Sequence, residues 1–248
     1  TSDFINELRY GYYFNTPPQL IVSVNDTMGE NGGNVLSCGF DKVVLRFVNS
    51  AEGTSTTITQ PVNNNNNTAI FDVPENFKGQ IFAQVFDKMG NCSEERTVYG
   101  LIVDNTRPDI KIEPLPETSK TDDNGNKLYT NGVSFKVTIT DNESGIREIS
   151  HSKNGDINNY EAIVTKALNK VYGTDKNFGN GWEIVSSEAN IVTSVSQVFT
   201  FNKDDKNILM TFNATDNAKN DSGERQSEKF TIDTVAPTIE SFKFNPAN

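Results

Sequence analysis

The feature that most constrains the fold is a repeat at one fixed offset. Leu101 to Ile112 (LIVDNTRPDIKI) returns as Phe230 to Phe242 (FTIDTVAPTIESF), pairing Asp104 with Asp233 and Pro108 with Pro237 across 129 residues. The same offset pairs Asp87 with Asp216, Asn91 with Asn220, Glu95 with Glu224 and Arg96 with Arg225 without a gap. One unit therefore closes twice, and Ile239, Phe242 and Phe244 beyond the second closure read as the opening of a third. The expected division is a first module over 1–106, a second over 107–236, and 237–248 as the start of another module or a tail. Such a chain is a slice of a tandem array.

Each unit is large enough to build its own core. Val133, Phe135, Val137 and Ile139 alternate with polar residues, the period of a strand with one face buried, and Leu20, Val22 and Val24 give a shorter version. Further strands are expected at about 42–49, 56–60, 68–73, 79–86, 95–103, 146–152, 196–201, 208–215 and 225–233, separated by turn formers. The Asn63 to Asn67 run reads as a loop tip. Only Glu161 to Tyr172 has apolar residues near helical spacing. Short strands with one buried face at this density predict an all-β fold. The expectation is two tandem immunoglobulin-like β-sandwich modules of Greek-key type, the second carrying an insertion at about 154–191. Lys206 to Thr215 is expected as one strand, and His151 as a solvent-facing residue of its strand.

The net charge of −11 and pI near 4.6 disfavour nucleic acid, since the chain cannot replace counterions on phosphates. No segment has the ~20 apolar residues that cross a bilayer, and the first sixteen residues lack the layout of a signal peptide. No nucleophile with a base, glycine-rich phosphate loop or carboxylate pair across a cleft is legible, so no catalytic residue is expected.

Thr140 to Asp156 (TDNESGIREISHSKNGD), with Asp216-Asn217-Ala218 and Ile232 to Pro237 (IDTVAP), resembles the Ig-like repeats strung together in surface proteins of Gram-positive and related bacteria. The resemblance covers most of the second module and the closing half of the first. It implies a non-catalytic array at a bacterial cell surface or in secretion, used in adhesion, in ligand presentation or as a stalk. The first module departs from the pattern with a longer loop over Met28 to Gly39, and the second with its insertion. Accessory modules of an extracellular carbohydrate-active enzyme are the alternative, and a ligandless mechanical spacer is a third reading.

Three sets of residues carry the functional expectations. Cys38 and Cys92, placed by the strand order in two loops at one end of the first module, are expected to form a disulfide, which would add about 4 kcal/mol in the chain-entropy model; two unrelated thiols are the other reading. Asp141 and Glu143 with Asp216 and Asn217 are expected to converge on Asp104 and Asn105 at the joint between modules. Oxygen-rich segments of this kind suit a hard cation, calcium above all, while Asx-turns without metal are the plainer outcome. Zinc lacks a nitrogen and sulfur ligand set. Tyr160, Tyr172, Phe178 and Trp182 in the insertion offer faces for a sugar ring or a protein ligand, or else fold inward as a small core. Lys111 and Lys136 are conceivable partners of an intramolecular Lys–Asn crosslink.

Overall fold

The computed structural model describes residues 9–25, 38–50, 52–97, 100–161 and 177–244. The described residues hold strands and no helix. Most buried apolar side chains form one cluster over Phe40–Val103 and another over Ile110–Ile232, with a third, smaller one of Tyr10, Ile102 and Ile191, and the two sandwiches around the larger pair are the first and second modules below.

The first module comprises β1 (Tyr10–Phe14), β2 (Gln19–Ser23), β3 (Phe40–Asn49), β4 (Ser55–Pro61), β5 (Thr68–Asp72), β6 (Lys78–Asp87), β7 (Arg96–Thr97) and β8 (Gly100–Val103). One sheet runs β1-β8-β6-β3-β4 with β7 also on β6, and β2 with β5 forms the other. The chain crosses to the second sheet at β2 and again at β5, so β2 pairs with β5 while β3 pairs with β4 and β6, which gives the crossed connections of an Ig-like sandwich. Val43, Leu45 and Phe47 of β3 are 0–2% exposed; burying each stabilises the fold by about 2 kcal/mol. β3 and β6 approach so closely that a Cβ on Gly79 would lie 1.9 Å from the Val48 carbonyl oxygen. The Asn63–Asn67 run forms the β4–β5 tip, with Asn67 at φ 53°, a conformation asparagine tolerates.

The second module comprises β9 (Asp109–Ile112), β10 (Lys127–Tyr129), β11 (Val133–Thr140), β12 (Ile146–Lys153), β13 (Asp156–Glu161), β14 (Asn177–Gly179), β15 (Trp182–Glu188), β16 (Ile191–Phe201), β17 (Asp205–Ile208), β18 (Met210–Asp216), β19 (Arg225–Gln226) and β20 (Phe230–Ile232). Its sheets run β14-β15-β16-β11-β9 and β13-β12-β18-β19, with a small third sheet β10-β20-β17. The cleanest alternating segment of the sequence, β11, is central here, holding eight rungs with β16 and four with β9.

Three expectations change. The residues expected as one strand, Lys206 to Thr215, divide between two sheets: β17 pairs with β20, and β18 with β12. Asn207, inside β17, takes a left-handed φ of 56° and shifts the register with β20, and Leu209, outside both strands, separates β17 from β18. His151 does not face solvent; it is 9% exposed, its ring edge-on to Phe199 at 5.2 Å. It stands two residues from Ile149, so the strand period puts both on the inner face, and burial lowers its pKa. The insertion is not wholly extra, since β13 extends one sheet of the sandwich and β14 with β15 the other. The helix expected over 161–172 starts on the last residue of β13 and otherwise lies outside the described residues.

Candidate functional site

Strand ends bring the acidic loops together. β8 runs into Asp104, whose N–H donates to the Phe14 carbonyl at 2.8 Å. β11 delivers Asp141, and β18 delivers Asp216. One carboxylate oxygen from each of these three lies within 4.8 Å of the others, and all three residues are buried, at 1%, 4% and 0% exposure.

Each carboxylate is held by its own turn. Asp104 Oδ1 accepts from the Thr106 N–H (2.8 Å) and hydroxyl (2.5 Å), and its Oδ2 accepts from the Ser144 N–H at 3.0 Å. Asp141 Oδ1 accepts from Gly145 N–H (2.7 Å) and Glu143 N–H (3.2 Å). Gly145 turns with φ +80°, and a Cβ there would lie 2.8 Å from the Val192 carbonyl. Asp216 receives the Asn220 N–H on Oδ1 and its side-chain amide on Oδ2, at 2.8 and 2.7 Å. That same amide donates to the Asp104 carbonyl oxygen at 2.8 Å, so Asn220 ties β18 to the linker.

No Lys or Arg side chain forms an ion pair with the three carboxylates among the described residues. Burial, reinforced by the neighbouring carboxylates, raises the Asp141 pKa to about 6 and the Asp216 pKa to about 7. Charge here can be relieved by retained protons or by a hard cation among the oxygens. Asp104, Asp141 and Asp216 are the residues that could hold such an ion.

The other expected ligands take different places. Asn105 is exposed, and exposed Glu143 lies outside the carboxylate group. Asn217 points its amide at the Ser144 and Gly145 carbonyls, at 2.9 and 3.3 Å, pinning the loop rather than offering an oxygen to the cluster. Asn220 was legible only indirectly, through its match to Asn91 in the repeat, and Ser144 only as part of a short Glu-Ser-Gly turn. The same Asp-to-Asn lock, four residues apart, recurs at Asp87–Asn91 and Asp122–Asn126.

Beside the carboxylates the modules share a small core of Tyr10, Ile102 and Ile191, with Tyr13 packed against it. Tyr10 N–H donates to Asn190 Oδ1 at 2.6 Å, and Asn190 Nδ2 returns a bond to the Tyr10 carbonyl at 2.8 Å. Lys78 of β6, only 4% exposed, reaches Glu188 at 2.7 Å and the Asn142 carbonyl at 2.9 Å in the second module. Sequence reasoning missed these residues because nothing local marks a strand residue as facing another module.

The disulfide expectation is corrected: Cys38 and Cys92 are free and exposed. β6 pairs with β3 on one side and bridges to Cys92 through Phe86 on the other. Cys38 lies just before β3 with its thiol bonded to the Asp87 carboxylate rather than to Cys92. The aromatic platform is corrected too. Trp182 is 0% and Phe178 4% exposed, both inside the second core, so neither offers a face to a ligand. Tyr160 lies on β13 opposite Ile149, and Tyr172 falls outside the described residues. Lys111 is exposed and Lys136 half-buried; neither lies in the buried setting a crosslink requires.

No protein-family model and no curated relative matches the chain. Among solved structures, the fibronectin(III)-like modules of Clostridium thermocellum CbhA align over 97% of this chain and 98% of theirs, at 10% identity and TM-score 0.32. Rst D1-D2 aligns over 93% and 99%, at 10% identity and TM-score 0.43. Latent PorU from Porphyromonas gingivalis aligns over 92% of this chain and 23% of its own, at 15% identity and TM-score 0.31.

Proposed function

We propose that the chain is a non-catalytic pair of Ig-like modules from an array outside a bacterial cell, and that it acts as a stiff spacer presenting whatever adjoins it. The observation that carries this reading is the shared joint. Tyr10, Ile102 and Ile191 bury apolar surface between the modules, while Lys78 and Asn190 fix their rotation through bonds in both directions. A flexible linker has no use for a buried lysine, whose desolvation is offset only while Glu188 and the Asn142 carbonyl stay in place. Adhesion through a glycan is the less supported reading, since Trp182 and Phe178 fill the core. Calcium enters as a proposed occupant of the Asp104, Asp141 and Asp216 cluster, where it would lock the same joint.

Spin labels on β4 and β12 test the spacer reading by electron–electron distance measurement. One narrow distribution is expected, and Tyr10→Ala with Lys78→Ala should broaden it. A broad distribution in the unmodified protein would show the modules moving independently and end the proposal.

A further inference from the structure

The outer end of the first module repeats the socket in which the second module holds Asp104. Phe40 pairs with Asp87 as Ile146 pairs with Asp216, and both ladders shift register just beyond that pair. Gly39 and Gly145 take left-handed φ angles of 82° and 80°. The Lys88 N–H donates to the Gly39 carbonyl at 3.1 Å, as the Asn217 N–H does to Gly145 at 3.0 Å. Asn91 grips Asp87 through its N–H and its side-chain amide, both at 2.8 Å, as Asn220 grips Asp216. Cys38, next to Gly39, therefore stands where Ser144 stands in the second module.

Two bonds of the second module have no counterpart in the first. Ser144 N–H donates to the Asp104 carboxylate at 3.0 Å, and the Asn220 amide to the Asp104 carbonyl at 2.8 Å. The Cys38 N–H and the second Asn91 amide hydrogen have no acceptor among the described residues. Cys38 and Asn91 are exposed, whereas Ser144 is buried and Asn220 half-buried. Turns of this shape form for the sake of their own backbone, yet the two donors left over are spaced for one aspartate residue, because Asp104 spans the same pair. Val24 takes the place of Asp141, its N–H donating to Asn67 as that of Asp141 donates to Thr193. An incoming carboxylate therefore meets Asp87 alone rather than two acidic neighbours.

We infer that Cys38 and Asn91 form a second binding site for the aspartate of an extended linker peptide, the Cys38 N–H donating to its carboxylate and the Asn91 amide to its carbonyl. Resting on the reading of the chain as part of an array, the occupant is the closing end of another module of this kind. Asp233 has the form the site requires. Its N–H donates to the Tyr129 carbonyl at 3.0 Å and its Oδ1 accepts the Val235 N–H at 3.1 Å, matching the bonds of Asp104 to Phe14 and Thr106. The N–H bond to a carboxylate is charge-assisted and supplies most of the affinity, while the carbonyl bond fixes the direction in which the linker runs. Occupancy covers Cys38 as Asp104 covers Ser144, which is 0% exposed.

Two full chains joined end to end provide the test, since about as many residues then separate Asp233 of the first copy from β1 of the next as separate Asp104 from β10. Cys38→Ser in the first copy and Cys92→Ser in both leave Cys38 of the second copy as the only thiol, and its rate of reaction with a thiol reagent is compared with that of a single chain carrying Cys92→Ser. A tethered partner has a local concentration of ~1 mM, so an affinity of about 100 µM should slow the reaction about tenfold. Asp233→Asn in the first copy, at an exposed position, should return the rate to that of the single chain. Because the site lies within the first module, a mobile joint at Asp104 in the spin-label measurement and an unprotected Cys38 here are separate failures. A Cys38 thiol that reacts equally fast in the joined and single chains would overturn the inference. So would protection that survives Asp233→Asn, because something other than the aspartate would then cover the site.

Discussion

Asp141→Asn separates the charge of the buried cluster from its architecture. Both hydrogen bonds to Asp141 fall on Oδ1, so an asparagine oxygen there keeps them while its amide replaces Oδ2. The unmodified protein holds Asp141 at a pKa of about 6 and Asp216 at about 7 against 3.8 for the free side chain. A raised carboxyl pKa means the fold prefers the protonated form. Its contribution is therefore fully present below pH 4 and is lost as pH climbs through 6 to 7. One proton linked over about 3 pH units amounts to roughly 4 kcal/mol, and solvent screening at the cluster's edge reduces this to roughly 2. With chelator present, the melting temperature should fall by several degrees between pH 5 and pH 8. Asp141→Asn should flatten that decline and be the more stable protein at pH 8. Millimolar calcium should raise the pH 8 melting temperature of the unmodified chain only, since an ion bound to the folded state stabilises it by mass action. A melting temperature that holds level or rises from pH 5 to 8 without calcium would refute the reasoning, as would a variant with an unchanged pH profile.

Two further outcomes follow from the residues relocated by the fold. Cys38 and Cys92 should both react with a thiol reagent in native, unreduced protein; protected sulfurs that appear only after reduction would show a bridge. Trp182→Ala should destabilise the second module by about 3–5 kcal/mol, the range for emptying a buried aromatic site, and denaturant melting that detects less than about 1 kcal/mol would place the indole at the surface.

The sandwich was legible because β11 alternates strictly, with a shorter version in Leu20, Val22 and Val24, and a strand with one buried face must cover another sheet. The convergence of Asp104, Asp141 and Asp216 was legible for the same reason: antiparallel strands fix which ends share a side. What escaped were effects that depend on third partners. Trp182 and Phe178 sit among glycines in a stretch that looked like a loop, yet β15 pairs with β16 and the strand period turns Trp182 inward. Lys78 reads as a strand-end lysine and Tyr10 as ordinary packing; only the second module gives either a partner. Cys38 and Cys92 fall near one end of the first module as their loops suggest, yet both stand as free thiols, because sharing an end does not set the geometry of a bridge. Asn217 was favoured over Asn220 as a ligand because it adjoins Asp216 in sequence, whereas a turn brings the fourth residue onward back to the carboxylate.

The Asp-to-Asn lock stands at the closing end of both modules, at Asp87–Asn91 and Asp216–Asn220, and the linker aspartate has its own second copy in Asp233. A duplication of this 129-residue segment would therefore carry the linker aspartate together with the asparagine lock that grips its carbonyl, so that this one tie would be inherited with the repeat rather than built anew.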